Sequence, residues 1–162
     1  MAENTTTYIN ILIDTLRKKE EILKDLLEKT DAQAGLLEAE ELDTAAFDSL
    51  MEEKDTLLGE LKTLDDGFLD IYSRVGAVLK NDTGAHAEQV KTAQELVRRQ
   101  MELSSNLTGA EERNKAKLSI RLSQGRQKIK DFKVGAKTAA AYYKNMSGKH
   151  QDGDSYFFNR EK

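Results

Sequence analysis

The sequence predicts an all-α fold, in which an antiparallel helical hairpin and a long third helix form an elongated three-helix, coiled-coil-like bundle. Three observations support this prediction. The 162 residues include no proline, so no position forbids a long helix. Charged residues make up 33% of the chain and hydrophobic residues 38%, a balance typical of long helices with a narrow apolar seam. The apolar residues recur at spacings of three and four, which place them on one helical face.

The first helix is predicted over residues 7–42, about 54 Å at 1.5 Å per residue. Its apolar residues fit a heptad repeat in which the first core position, a, is apolar or threonine throughout. Two polar side chains, Lys19 and Gln33, interrupt the second core position, d, so the predicted seam is imperfect. The a positions are Ile9, Leu16, Leu23, Thr30 and Leu37, and the apolar d positions are Leu12 and Leu26.

The second helix is predicted over residues 44–80, after a short turn at Asp43 and Thr44 in which Asp43 can cap the new helix. Two amphipathic segments of similar length with so short a connection are typical of an antiparallel hairpin. Lys54 falls on the apolar seam of this helix, and we expect its methylene stem to pack while its amine reaches solvent. We expect the acidic side chains of both helices to lie on solvated faces.

The third helix is predicted over residues 86–146, after a polar break at 81–84, and completes a single domain of residues 1–146. Thr108 and Glu111 have the spacing of a capping box, and the sequence leaves open whether the helix is interrupted there. A continuous helix of this length measures about 90 Å, against about 54 Å for each hairpin helix. Residues 122–146 would therefore extend past the hairpin without a partner in the chain. Residues 147–162 are predicted to form a flexible, polar, glycine-containing tail.

The predicted overhang combines an apolar stripe with positive charge. Residues 113–149 contain eleven Lys or Arg and one acid, whereas residues 1–112 contain twelve bases and twenty-five acids. An uncovered apolar stripe predicts a binding partner, either a target protein or a second copy of the chain. This positive charge has four interpretations, in decreasing order of preference. It balances the acidic first and second helices, or it binds an acidic or amphipathic protein, nucleic acid or a membrane surface. The stripe residues predicted to bind a partner are Leu118, Leu122, Ile129, Phe132, Ala136 and Ala139.

The sequence contains no recognisable catalytic or metal-binding constellation, so we expect neither an enzyme nor a cofactor. His86 and His150 lack the Glu three residues earlier that helical di-iron proteins use. Cysteine is absent, which excludes disulfides and thiolate chemistry and fits a reducing compartment. The sequence does not open with a basic region and an apolar run, and no apolar run is long enough to span a membrane. We therefore expect a cytoplasmic protein without membrane insertion.

A run on the second predicted helix resembles the FlgN family of flagellar export chaperones. Residues 53–61 read Glu-Lys-Asp-Thr-Leu-Leu-Gly-Glu-Leu, and the family carries a similar Glu-(x)-Lys-x-x-Leu-Leu-x-x-Leu pattern. The likeness extends to a long third helix and to tyrosines just before a glycine-containing tail. The residues that carry this extension are Glu112, Arg113, Asn114, Leu118, Leu122, Tyr142, Tyr143 and Gly148.

This resemblance implies a cytoplasmic chaperone that binds the C-terminal regions of the hook–filament junction proteins FlgK and FlgL. Such a chaperone prevents premature assembly and delivers its client to the type III export gate through FlhA. In the family a tyrosine near the tail contacts the gate; the candidates here are Tyr142 and Tyr143, with Tyr156 and Phe157 in a terminal aromatic cluster. Two alternatives stay open: a structural coiled-coil protein that forms a homodimer through its third helix, and a helical protein that binds nucleic acid, the less favoured partner, through its basic face.

Overall fold

The computed structural model describes residues 2–81 and 86–124 together with Tyr142. Three α-helices account for the secondary structure of those two ranges: α1 is Ala2–Glu38, α2 is Thr44–Asn81 and α3 is Ala87–Gln124. α1 packs along both α2 and α3. The prediction of an all-α three-helix bundle is therefore confirmed.

The helices run up, down and up. Contacts between α1 and α2 pair early residues with late ones, as Lys19 pairs with Asp65 and Lys29 with Glu53, so these helices are antiparallel. Contacts between α1 and α3 keep a nearly constant separation in sequence, 84 residues for the hydrogen bond from Gln100 and 79 for the one from Lys117. α3 therefore lies parallel to α1.

The turn between α1 and α2 is placed by Asp43. Its Oδ1 accepts a hydrogen bond from the backbone N–H of Ala46 at 3.0 Å, which confirms the predicted cap. α1 ends at Glu38, earlier than the predicted end near residue 42, and begins at Ala2 rather than near residue 7. α3 continues through Thr108 without the interruption that the sequence left open.

The heptad repeat holds in all three helices, including its polar members. Every a and d position of α1 from Ile9 to Leu37 is at most 4% exposed, Lys19 and Gln33 among them. The same alternation of three and four runs along α2 and α3, and the polar side chains on it are also buried. These positions are Phe47, Met51, Lys54, Leu58, Leu61, Asp65, Phe68, Tyr72 and Val75 in α2, and Ala93, Val97, Gln100, Ser104, Leu107, Glu111, Asn114 and Leu118 in α3.

Two hydrophobic clusters share the bundle. One surrounds Leu12 and Phe68, and the other surrounds Leu26, Met51 and Leu107. The buried pair of Lys19 and Asp65 lies between them along the bundle, with Lys19 Nζ 2.5 Å from Asp65 Oδ1. A polar layer therefore separates the two clusters.

The expectation that the acids of the hairpin all face solvent is wrong at two positions. Asp65 is 4% exposed because the lysine at a d position of α1 meets it inside the bundle. Glu20 is 8% exposed because Arg99 of α3 reaches across to it with two hydrogen bonds of 2.9 and 3.0 Å. Both acids are paired with a cation from a neighbouring helix, as buried carboxylates require.

Candidate functional site

A network of buried polar side chains joins all three helices around Lys54 of α2. Lys54 Nζ lies 2.5 Å from Glu111 Oε1 of α3 and donates a hydrogen bond to Gln33 Oε1 of α1 at 2.6 Å. Lys54 is fully buried and Glu111 is 3% exposed. The prediction that the amine reaches solvent is wrong, because acceptors on α1 and α3 hold it inside.

Further hydrogen bonds extend this network along α1. The Thr30 hydroxyl donates to Glu111 Oε1 at 2.9 Å, and Asn114 Nδ2 donates to the Thr30 carbonyl at 2.8 Å. Gln33 Nε2 donates to the Phe47 carbonyl at 3.3 Å. We call the set of Lys54, Glu111, Thr30, Gln33 and Asn114 the Lys54 network. Because each member needs its partner at one level of the bundle, the network fixes the register of the helices.

Burial has the largest effect on the protonation of Lys54. Burial lowers the pKa of Lys54, and the attraction and hydrogen bond of Glu111 act in the opposite direction. Glu111 Oε1 accepts from several donors, whereas Glu111 Oε2 is buried and has no hydrogen-bond partner within the described part of the chain. Among the described residues, the carboxylate therefore uses one of its two oxygens for hydrogen bonding.

Tyr142 is bound directly to the Lys54 network. It is fully buried, and its hydroxyl donates to Glu111 Oε1 at 2.7 Å. The Lys54 amine lies 4.4 Å from the centre of its ring, a cation–π distance. The ring also belongs to the hydrophobic cluster that contains Leu107 and Leu118. We call this position, formed by α2 and α3, the Tyr142 seat.

The position of Tyr142 contradicts part of the predicted overhang. A straight helix places residues 31 apart at about 46 Å from one another, so Tyr142 cannot reach Glu111 as a continuation of α3. Leu122 is half-buried and packs against the same hydrophobic cluster. The prediction that residues 122–146 lack a partner within the chain is wrong at Leu122 and Tyr142.

The other predicted site residues divide into two groups. Leu118 is 5% exposed and belongs to the core, so the structure places it inside the bundle rather than on an open binding stripe. The remaining candidates lie outside the described residues. They are Ile129, Phe132, Ala136, Ala139, Tyr143, Tyr156 and Phe157.

Part of the positive charge of α3 is balanced within the bundle. Lys117 Nζ lies 2.7 Å from Glu38 Oε1, and Arg121 donates to the Glu40 carbonyl at 3.3 Å. The hydrogen bond and charge of Lys117 lower the pKa of Glu38. Balance against the acidic hairpin, the preferred interpretation of this charge, is thus confirmed at Lys117.

Sequence reasoning missed the Lys54 network as a unit. The available signal was the heptad: continued along α2 and α3, it places Lys54, Glu111 and Asn114 on the same buried lines as the leucines. Two of these residues, Lys54 and Asn114, belong to the segments that carry the resemblance. Their side chains lie inside the bundle, which points to a structural reason for those residue types.

The described residues contain no group of three His, Cys, Asp or Glu side chains able to hold a metal ion. None of the described helices is both long enough and apolar enough to cross a membrane. The family model described as FlgN protein matches residues 1–149. No curated protein and no solved structure matches the chain.

Proposed function

The chain belongs to the FlgN family of flagellar export chaperones, and we propose that its clients are the hook–filament junction proteins FlgK and FlgL. In this proposal it acts in the cytoplasm, binds the C-terminal regions of its clients and prevents their premature assembly. It then delivers them to FlhA at the type III export gate. The single observation that carries the proposal is the family match, which extends over residues 1–149.

We assign client binding to the stripe residues beyond α3: Ile129, Phe132, Ala136 and Ala139. Leu118 and Leu122, which begin this stripe, are used within the bundle and are removed from the assignment. An amphipathic client helix that orders on binding loses about 2–5 kcal/mol of the gross interaction energy, which keeps affinity moderate and release feasible. Moderate affinity suits a chaperone that must hand over its client.

We assign gate binding to Tyr143, Tyr156 and Phe157. Tyr142 is a candidate as well, but it can contact the gate only after it leaves its seat, because the ring is fully buried there. This separation of client and gate residues predicts that the two activities can be lost independently.

The test is calorimetric titration of the purified chain with C-terminal fragments of FlgK and FlgL from the same bacterium. The double variant Ile129→Ser/Phe132→Ser should weaken binding at least about tenfold, or 1.4 kcal/mol. The control is Ile120→Ser, which removes an apolar side chain that is 56% exposed on α3 and should bind as the native chain does.

Two outcomes would contradict the proposal at different levels. If neither junction fragment binds the native chain, these proteins are not its clients. If both fragments bind but the double variant keeps full affinity, the function stands and the assigned surface is wrong. Light scattering measures the molar mass of the native chain and tests the alternative of a homodimer formed through the third helix. That alternative predicts a dimer that the client fragments do not disrupt.

A further inference from the structure

We propose that the Tyr142 seat is an exchange site: an aromatic side chain of the client helix takes the seat and releases Tyr142. In the free chain Tyr142 occupies the site that this client side chain takes in the complex. This inference rests on the proposed function, since it concerns the same client and names the chemistry by which it is recognised.

The seat is built without Tyr142. Glu111 Oε1 is already paired with Lys54 at 2.5 Å and accepts from Thr30 at 2.9 Å. When Tyr142 leaves, Glu111 loses a neutral donor but keeps its pairing with Lys54. An unpaired buried charge would make the departure of Tyr142 prohibitive, and none is created. The seat therefore keeps its polar geometry while its occupant changes.

The seat is nevertheless unfavourable when empty. The ring of Tyr142 is fully buried and belongs to the hydrophobic cluster that also contains Leu107 and Leu118. Departure of the ring would open this hydrophobic cluster to water and remove the aromatic face from the Lys54 amine. Tyr142 is thus expected to leave only when another side chain of similar size replaces it.

The chemistry of the seat specifies the replacement. The amine of Lys54 favours an aromatic ring, and the carboxylate of Glu111 favours a group that can donate a hydrogen bond. Glu111 Oε2, buried and without a hydrogen-bond partner in the described residues, offers a second acceptor. A tyrosine or tryptophan on an amphipathic helix satisfies both requirements.

Affinity measurements give the first test. Calorimetric titration with the FlgK and FlgL C-terminal fragments should show Tyr142→Ala binding at least about fivefold tighter than the native chain, because the competing occupant is gone. Tyr142→Phe, which keeps the ring and loses the hydroxyl, should bind about twofold tighter with the fold intact. The matched control is Tyr72→Ala, which removes a buried tyrosine from the other hydrophobic cluster and should not tighten binding.

A spectroscopic measurement gives the second test. The chain has five tyrosines, so incorporation of 3-fluorotyrosine gives a small set of fluorine signals, and Tyr142→Phe assigns the one that matters. The fluorine chemical shift of Tyr142 should be that of a buried tyrosine in the free chain. It should change to that of a solvent-exposed tyrosine when the client fragment saturates the chain.

Several results would overturn the exchange. If Tyr142→Ala binds the fragments no more tightly than the native chain, or if the Tyr142 signal stays buried in the saturated complex, Tyr142 is a structural residue and client binding stands without it. A dimer formed by Tyr142→Ala without client would show that a second copy takes the seat. Absence of client binding by the native chain would remove the proposed function and this inference together.

Discussion

Replacing Lys54 by methionine tests whether the Lys54 network is a buried ion pair. The substitution keeps the apolar stem and removes the amine that lies 2.5 Å from Glu111 Oε1. It leaves a carboxylate that is 3% exposed without its cation. Breaking a buried pair in this way costs about 3–5 kcal/mol, because the remaining charge is uncompensated. For a domain of this size, that corresponds to a fall in Tm of about 6–20 °C.

The assay is urea unfolding followed by helical circular dichroism, on a full double-mutant cycle with Glu111→Met. The double variant should recover most of the loss, because it removes both charges from the core. It should not exceed the native chain by much, because Thr30 and Tyr142 each lose a hydrogen bond to Glu111 Oε1, at about 0.5–1.5 kcal/mol for a typical hydrogen bond. The Thr30 hydroxyl keeps the Leu26 carbonyl as an acceptor at 2.7 Å. A large favourable coupling energy is therefore expected between the two sites.

The control is the partly exposed pair of Lys29 and Glu53, 3.2 Å apart, whose side chains are 24% and 53% exposed. Lys29→Met should cost less than about 1 kcal/mol, as such pairs do. The reasoning is refuted if Lys54→Met costs no more than Lys29→Met, or if the cycle shows no coupling. Either result would mean that Lys54 and Glu111 do not form a charged pair inside the bundle.

Three further predictions concern stability. Burial lowers the pKa of Lys54, so between that lowered pKa and the ordinary value of 10.5 the unfolded chain binds more protons than the folded chain. The free energy of unfolding of the native chain should therefore rise with pH in this window. Urea unfolding at several pH values should show that Lys54→Met lacks this rise. Ser104→Ala should raise the free energy of unfolding by up to about 1 kcal/mol, because the buried Ser104 hydroxyl has no hydrogen-bond partner among the described residues; a loss would indicate a partner such as water. Gly67→Ala should raise Tm through a gain of about 0.5–1 kcal/mol in the free energy of unfolding, because a Cβ there meets nothing within 4 Å. Gly76→Ala should gain less, because its Cβ would lie 3.1 Å from Tyr72 Cε1. Equal gains for the two variants would show that packing against Tyr72 does not matter.

The fold could be predicted because helix period and chain length are local properties. The heptad of α1 even identified its polar interruptions, Lys19 and Gln33, at the d positions where the structure buries them. Their consequence could not be predicted, because the sequence of one helix does not specify which residue of another helix meets it. Lys54 was expected to extend to solvent for this reason: its acceptors, Gln33 and Glu111, come from the other two helices.

The candidate site was harder to predict than the fold. The overhang was inferred from helix length alone, and that inference assumes that the chain continues straight. Tyr142 lies 31 residues after Glu111, and no periodicity links the two, so their hydrogen bond is a purely tertiary event. The resemblance drew attention to Tyr142 as a residue for an external partner, whereas the structure finds it bound within its own chain.

The location of Glu111 on the third helix decides when the Lys54 network can be completed during synthesis. The hairpin can form Lys19–Asp65 as soon as α2 has emerged, since both partners lie within its sequence. Lys54 cannot form its ion pair at that stage, because its partner, the carboxylate of Glu111, belongs to α3. Hydrogen bonds from α3 to α1 span 79 to 84 residues, a long range for a helical bundle, and such non-local contacts slow folding. A nascent hairpin therefore holds Lys54 on its apolar face with Gln33 as a hydrogen-bond acceptor but without the Glu111 carboxylate until the third helix leaves the ribosome.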